Sequence, residues 1–466
     1  MKNICLSSAA LMLAACSAVG PDYRPPQPQL PAAYSMAAGT AALAAAWWES
    51  FGDAGLDALI AQAFAASPDL AMAQARVRQA RAQQGIQDAA GGPALQAGAR
   101  LTRDRLSEHS EALANIPFKN VQTEFSNHQL GFDASWEPDW FGRRQRLSEA
   151  AAARSDASIL RWQDARLMLA AEVARNYLEL RLSQQRLALA TANLGNFEES
   201  LRLARLAARA GAASALEVAQ AEAERDNYAA GLAALALSQN LSLAALSRLT
   251  ARTVQELSLQ LQPAAPLMAV PPAPAAGLPS DLLRRRPDLA AAEQDLMAAN
   301  ADIGVAVAEL YPRFALLGTA GWSSIAAGNL LESASTTWSF GPQLSLPLFN
   351  RGRLQHQVQA SQAAFELALA AYRKAILAAS ADVEAALTRV ARSEARRTQL
   401  LQAEAQQARL LALTERQMRV GELPKTALLN AAKNLAAQQD QRLQAQAQSL
   451  SAIIALCQAL GGGWSE

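Results

Sequence analysis

Two periodicities alternate along the chain. From Leu187, the apolar positions Leu187, Ala190, Leu194, Phe197, Leu201, Ala204 and Ala208 step by three and four residues, the stripe of a helix that packs against another as in a coiled coil. The stripe lies in a helical stretch from roughly Arg143 to Ala210, with a counterpart from Leu354 to Val420. About 65 residues at 1.5 Å each span about 100 Å, far beyond an ordinary globular helix. Gly211 and Gly421 break these helices, and a regular pattern returns after each. After Gly211 its apolar side is Val218, Ala221, Tyr228, Leu232, Leu235, Leu243 and Leu246. The pattern predicts two long helical hairpins with glycine tips.

The second periodicity is two. Trp338, Phe340, Pro342, Leu344, Leu346 and Leu348 alternate with Ser339, Gly341, Gln343, Ser345 and Pro347, the signature of a strand with one apolar face. Leu130, Phe132, Ala134 and Trp136 alternate likewise, and ALQAGARL from Ala94 and FALLGTAGW from Phe314 supply an earlier strand before each. Segments of about ten residues with aromatic ends match the strands of outer-membrane barrels, but four strands cannot close a barrel that needs about eight. Several chains would have to share one barrel; otherwise the strands form a small soluble cap.

The chain is written twice. SPDLAMAQARVRQARAQQG from Ser67 parallels RPDLAAAEQDLMAANADIG from Arg286, and Pro68/Pro287 and Pro93/Pro312 share an offset of 219 (287 − 68 and 312 − 93). Gly211 and Gly421 are offset by 210 (421 − 211), as are Leu246 and Leu456 (456 − 246), so loop lengths differ between repeats. In each half Pro opens a helix with Asp just behind it, where fixed φ and the helix dipole suit both. We divide the chain into a leader (1–15), an extended N-terminal tether (16–50), a first repeat (51–262), a Pro-rich linker (263–280), a second repeat (281–460) and a tail (461–466).

Composition narrows the function. A formal charge of +1 supplies no surplus cations for nucleic acid. Lys2, the apolar run to Ala15 and the order Leu13-Ala14-Ala15-Cys16 predict an export signal ending in a lipidation cysteine, with Cys16 as the mature N-terminus. That assignment leaves Cys5 in the leader and Cys457 alone, so no intrachain disulfide is expected. His109, His128 and His356 lack metal-ligand spacing. The uncharged centre of Asn227 to Ser247 holds Ser238-Gln239-Asn240 and reads as a packed helix in water rather than a membrane span. No phosphate loop or catalytic constellation is present, so neither an enzyme nor a bound cofactor is expected.

The lipobox with VGPDYRPP from Val19, WWESFGDAGLDALIAQAFAASPDLAMAQARV from Trp47, WEPDWFGRRQR from Trp136 and RRRPDLAAAEQDLMAANADIGVAVAELYPRFAL from Arg284 together resemble the TolC-like outer-membrane efflux proteins, in the lipoprotein branch of OprM and NodT. The resemblance implies a mainly α protein with a membrane β-barrel portion. Three copies would each give four strands to one twelve-stranded barrel, continued by a periplasmic helical tunnel. It also implies an exit duct of a tripartite pump, working with a periplasmic adaptor and an inner-membrane transporter, commonly of the RND type, with lipid at Cys16. Adaptor contact is expected at the tips, Ala210, Gly211, Ala212 and Ser214, and Val420, Gly421, Glu422 and Pro424. The entrance constriction maps to Thr426, Asn430 and Lys433. Thr426 stands where the family usually has leucine and Asn430 where it has aspartate, leaving Glu217 and Glu422 as alternative sources of charge. A periplasmic adaptor would carry one hairpin flanked by lipoyl-like segments, and a coiled-coil spacer would need no strands.

Overall fold

The computed structural model describes residues 18–27, 30–36, 39–107, 123–262 and 265–462. The leader, Cys16, Cys5, His109 and the last four residues lie outside these. The described chain divides into two compact units.

The first unit holds the residues up to Pro26, Val77–Ala157 and Glu293–Ala371. Its sheet has the order β1 (Ala94–Arg105), β2 (Glu124–Trp136), β3 (Arg313–Ser324), β4 (Thr336–Ser345), antiparallel throughout. The helices α2 (Pro68–Ala89) and α7 (Pro287–Ala308), each 22 residues long, lead into β1 and β3. Alternation and register together sort the side chains. One face carries Leu95, Leu101, Leu130, Phe132, Trp136, Phe314, Leu316, Trp322, Trp338, Phe340 and Leu344. The other carries Gln96, Arg100, Gln129, Asp133, Thr319, Ser323 and Ser339. Strand β4 stops at Ser345, short of the expected Leu348, because its partner β3 begins only at Arg313, opposite Ser345. Aromatic contacts gather where the strands meet the helices: Phe141 stacks on Tyr311 at 4.7 Å, and Trp140 leans on Phe314 at 6.0 Å.

The VGPDYRPP stretch is docked rather than loose. The Val19 N–H donates to the Phe141 carbonyl at 3.0 Å, Arg146 Nη2 to Asp22 Oδ1 at 2.7 Å, Asn300 Nδ2 to the Pro21 carbonyl at 2.8 Å, and the Tyr23 hydroxyl to Glu293 at 3.3 Å. Gly20, at φ 94°, lies against Gly304 so closely that a Cβ on it would strike the Gly304 backbone. That close approach explains the glycine at position 20, whereas a Cβ on Gly304 would instead meet the Arg146 side chain.

The second unit holds 27–76, 158–292 and 372–462 of the described chain. The predicted long helices are α3 (Arg143–Arg209) and α8 (Arg353–Arg419), 67 residues each, and both begin in the first unit. Their return helices are α4 (Ala215–Thr250) and α9 (Lys425–Ala459). Helices α1 (Ala54–Ala66), α5 (Val254–Gln260) and the four-residue α6 (Leu282–Arg285) complete it. The core joins Trp47, Phe51, Leu56, Leu59 and Ile60 to Val173, Tyr177, Leu180, Leu246, Leu257, Leu450 and Ile454. The extended N-terminal segment therefore ends before its expected limit at residue 50, since Trp47–Phe51 forms a 3-10 turn with two core side chains.

Asp53 caps α1 by accepting from Gly55 and Leu56, and it also accepts the buried Tyr177 hydroxyl at 2.9 Å. Arg181 donates back to that hydroxyl at 3.1 Å. In RPDL, Arg286 holds Asp288 with two hydrogen bonds and donates to the Ala459 carbonyl at the end of α9. A cation at a helix C-terminus meets unpaired carbonyls there. Helix α4 is long and apolar enough to cross a membrane, yet only 17% of its apolar window is buried in this chain, less than a packed helix implies.

Candidate functional site

Both hairpin tips are built the same way. Gly211 and Gly421 have φ of 73° and 83°, which only glycine adopts without strain. At the first tip the Ala212 N–H donates to the Ala207 carbonyl and Gly211 to Ala208; at the second, Glu422 donates to Gln417 and Gly421 to Met418. These paired bonds form a Schellman motif that satisfies the last helical carbonyls. Ala210, Gly211, Ala212, Val420, Gly421, Glu422 and Pro424 are exposed, and Ser214 is exposed as well.

The tips differ in how the return helix starts. Ser214 and Glu217 make a capping box on α4: the Ser214 N–H donates to Glu217 at 2.6 Å, and the Glu217 N–H to Ser214 Oγ at 3.3 Å. The Ser214 backbone N–H, and then its hydroxyl, hold the Glu217 carboxyl below its usual range. Glu217 is thus a capping carboxylate at the start of its own helix. Pro424 opens α9 with no side-chain cap.

Further along, ion pairs link the two hairpins. Lys425 on α9 donates to Glu199 on α3 at 2.6 Å, and Arg186 on α3 grips Asp440 on α9 through bonds of 2.6 and 3.2 Å. The side chain of Lys433 is only 12% exposed; its ammonium sits 3.4 Å from Glu224 Oε2 on α4 and 4.2 Å from the Phe197 ring centroid on α3. Phe197 in turn stacks on Tyr228 at 4.3 Å. Glu199 is pushed down to about 2 by its hydrogen bonds from Arg202 and then from Lys425, so it is ionised throughout the physiological range.

These side chains frame a groove of about 1320 Å³ whose walls include Asn193, Phe197, Glu224, Asn430, Lys433 and Asp440. The structure brings Asn430 and Lys433 together on this groove. Thr426 is exposed one turn nearer the tip and does not line it. Glu199, Glu224, Arg186 and Asp440 were not anticipated from sequence. Phe197 and Tyr228 lay on the predicted stripes, but their cationic partner came from the other repeat. Among the described residues no group of three or more His, Cys, Asp or Glu side chains is placed to hold a metal.

Residues 59–252 and 278–462 match the family described as outer membrane efflux protein. The chain is 34% identical over its whole length to the pyoverdine export outer membrane protein OpmQ of Pseudomonas aeruginosa, covering 97% of that protein. It is 33% identical to the probable efflux pump outer membrane protein TtgC of Pseudomonas putida, over 99% of this chain and 95% of that one. The solved outer-membrane channel OprN superposes with a TM-score of 0.85 at 30% identity, over 96% of this chain and 99% of OprN.

Proposed function

The chain belongs to the outer membrane efflux protein family, and on that premise we propose that three copies close into one duct through which a tripartite pump expels small molecules. The protein is an outer-membrane efflux channel that works with an adaptor and an inner-membrane transporter. The observation that carries the trimer is the sheet: one apolar face, one polar face, and unpaired edges at β1 and β4. Unpaired backbone in a bilayer costs several kcal/mol per group, so the edges must meet neighbours, and an apolar face against lipid leaves the polar face for water. Leu216, Leu237 and Leu241, exposed on α4 outside the stripe that packs within this chain, support the same assembly as a surface for adjacent protomers.

The tips at Ala210, Gly211, Ala212 and Ser214, and at Val420, Gly421, Glu422 and Pro424, form the adaptor-docking surface. Thr426, Asn430 and Lys433 guard the entrance, with Lys433 as the latch between hairpins and Glu217 adding negative charge at the rim. Acylated Cys16 anchors the chain in the outer membrane. The order Leu13-Ala14-Ala15-Cys16, which resembles a lipidation signal, supports this. The inner-membrane partner is of the RND type. The export and efflux roles named for OpmQ and TtgC support small organic solutes as cargo here.

Purified protein in a planar bilayer tests the reading. Ion-conducting steps from a cross-linkable trimer are expected, and a water-soluble, electrically silent monomer would overturn it.

A further inference from the structure

The register of the sheet lines up the charges of its polar face in rows. Nearest α7 is Arg313, already paired with Glu309 at 3.3 Å. Next comes Asp133, in the row Gln96, Asp133, Thr319, Ser339. A row of Gly98, Gly131 and Gly321 follows, then the row of Arg100, Gln129 and Ser323. Asp104 lies beyond, taking the Thr102 hydroxyl at 2.8 Å. Arg103 alternates onto the opposite face, where it pairs with Glu124 at 3.3 Å. Among the described residues, Arg100 is the one polar-face cation without an ion pair. It stands between two carboxylate rows, each four residues away on β1, about 13 Å at about 3.3 Å per residue.

In a closed duct, which is the reading above, this face lines the lumen. We propose that Arg100 is the residue that admits anionic solutes, those bearing a carboxylate or phosphate, to an otherwise acidic barrel. Its guanidinium offers a planar fork of donors that suits both groups, with Gln129 beside it in register. The glycine row, which carries no side chains, borders a hollow of about 450 Å³ between Arg100 and Asp133, space for the body of such a solute. Screening decays over about 10 Å at 0.1 M salt, so rows about 13 Å apart act as separate stations rather than cancelling. A cation meets two attractive rows with a barrier between them; an anion meets one attractive station, at Arg100.

The test is the reversal potential of the trimer in a planar bilayer under a potassium chloride gradient around 0.1 M. Arg100→Gln is expected to shift it toward cation selectivity and Asp133→Asn toward anion selectivity. Arg103→Gln, on the opposite face, is expected to leave it unchanged. With glutamate replacing chloride, the anion share of the current should fall about twofold or more in Arg100→Gln, and all differences should shrink at 1 M salt. An unshifted potential in Arg100→Gln, or an equal shift in Arg103→Gln, would overturn the assignment. A wild-type protein with no conductance at all would instead overturn the duct itself.

Discussion

Replacing Lys433 by methionine removes the charge and keeps an apolar stem of similar length. Two interactions are lost. The pair with Glu224 faces a carboxylate that is 61% exposed, so solvent screening holds it to about 0.2–1 kcal/mol. The contact with the Phe197 ring is made by a side chain that is 12% exposed and contributes about 0.5–2 kcal/mol. Together they hold the hairpins with about 1–3 kcal/mol per protomer. At 1.4 kcal/mol each release favours opening about tenfold, and the effect multiplies if three protomers open together. Single-channel recording of the purified trimer reads this directly: Lys433→Met should raise the open probability. Phe197→Leu should reproduce part of the gain, and Glu224→Gln should add little once Lys433 is gone, since coupled residues are not additive. An intact Lys433→Met trimer that gates like wild type would refute the latch.

Four further outcomes are expected. Gly421→Ala must hold a φ of 83° with a Cβ, costing about 1–2 kcal/mol, so thermal stability should fall slightly and adaptor capture measured by surface plasmon resonance more strongly. Glu199 is depressed in the folded state, so its pairs stabilise above the ordinary carboxylate range and are lost as pH falls toward about 2. The melting-temperature difference between wild type and Glu199→Gln should therefore be constant from pH 8 to about 5 and shrink only below that; a change between pH 8 and 6 would contradict it. Tyr177→Phe strips Asp53 of a donor and the buried Arg181 of an acceptor, costing about 1–3 kcal/mol, to be seen as a lower melting temperature than in a surface control. Cys16→Ser should still insert and conduct in vitro, because the barrel itself holds the membrane; absence of channels would mean that the lipid does more than anchor.

Lys433 shows how far the site could be read from sequence. Its position just past the tip singles it out, but its partners lie in the other repeat, Glu224 on α4, 209 residues away, and Phe197 on the stripe of α3. Glu199 gave no signal at all, since a carboxylate on a solvated helix face looks the same whether or not Lys425 arrives from 226 residues off. The sequence offers Glu217 as charge for the entrance, and its three-residue spacing from Ser214, already visible there, also makes it a cap. The VGPDYRPP stretch looked like an extended tether because proline forbids regular structure, and only the carbonyls and guanidinium it meets reveal a docked segment.

What the sequence determined by itself was local. Glycine at positive φ closes the Schellman turn at each tip, a three-four stripe makes a helix with one apolar side, and period two sorts a strand into two faces, so the hairpins, their tips and most strand boundaries to within a few residues followed from short windows. The tertiary structure decided which rows and faces meet. Arg100 belongs beside Gln129 and between two acid rows only because of the strand register, and Lys433 reaches Phe197 only because of the rotational phase of two packed helices. Both are properties of pairing between distant segments, set by the packing of the whole chain and written in no single stretch of it.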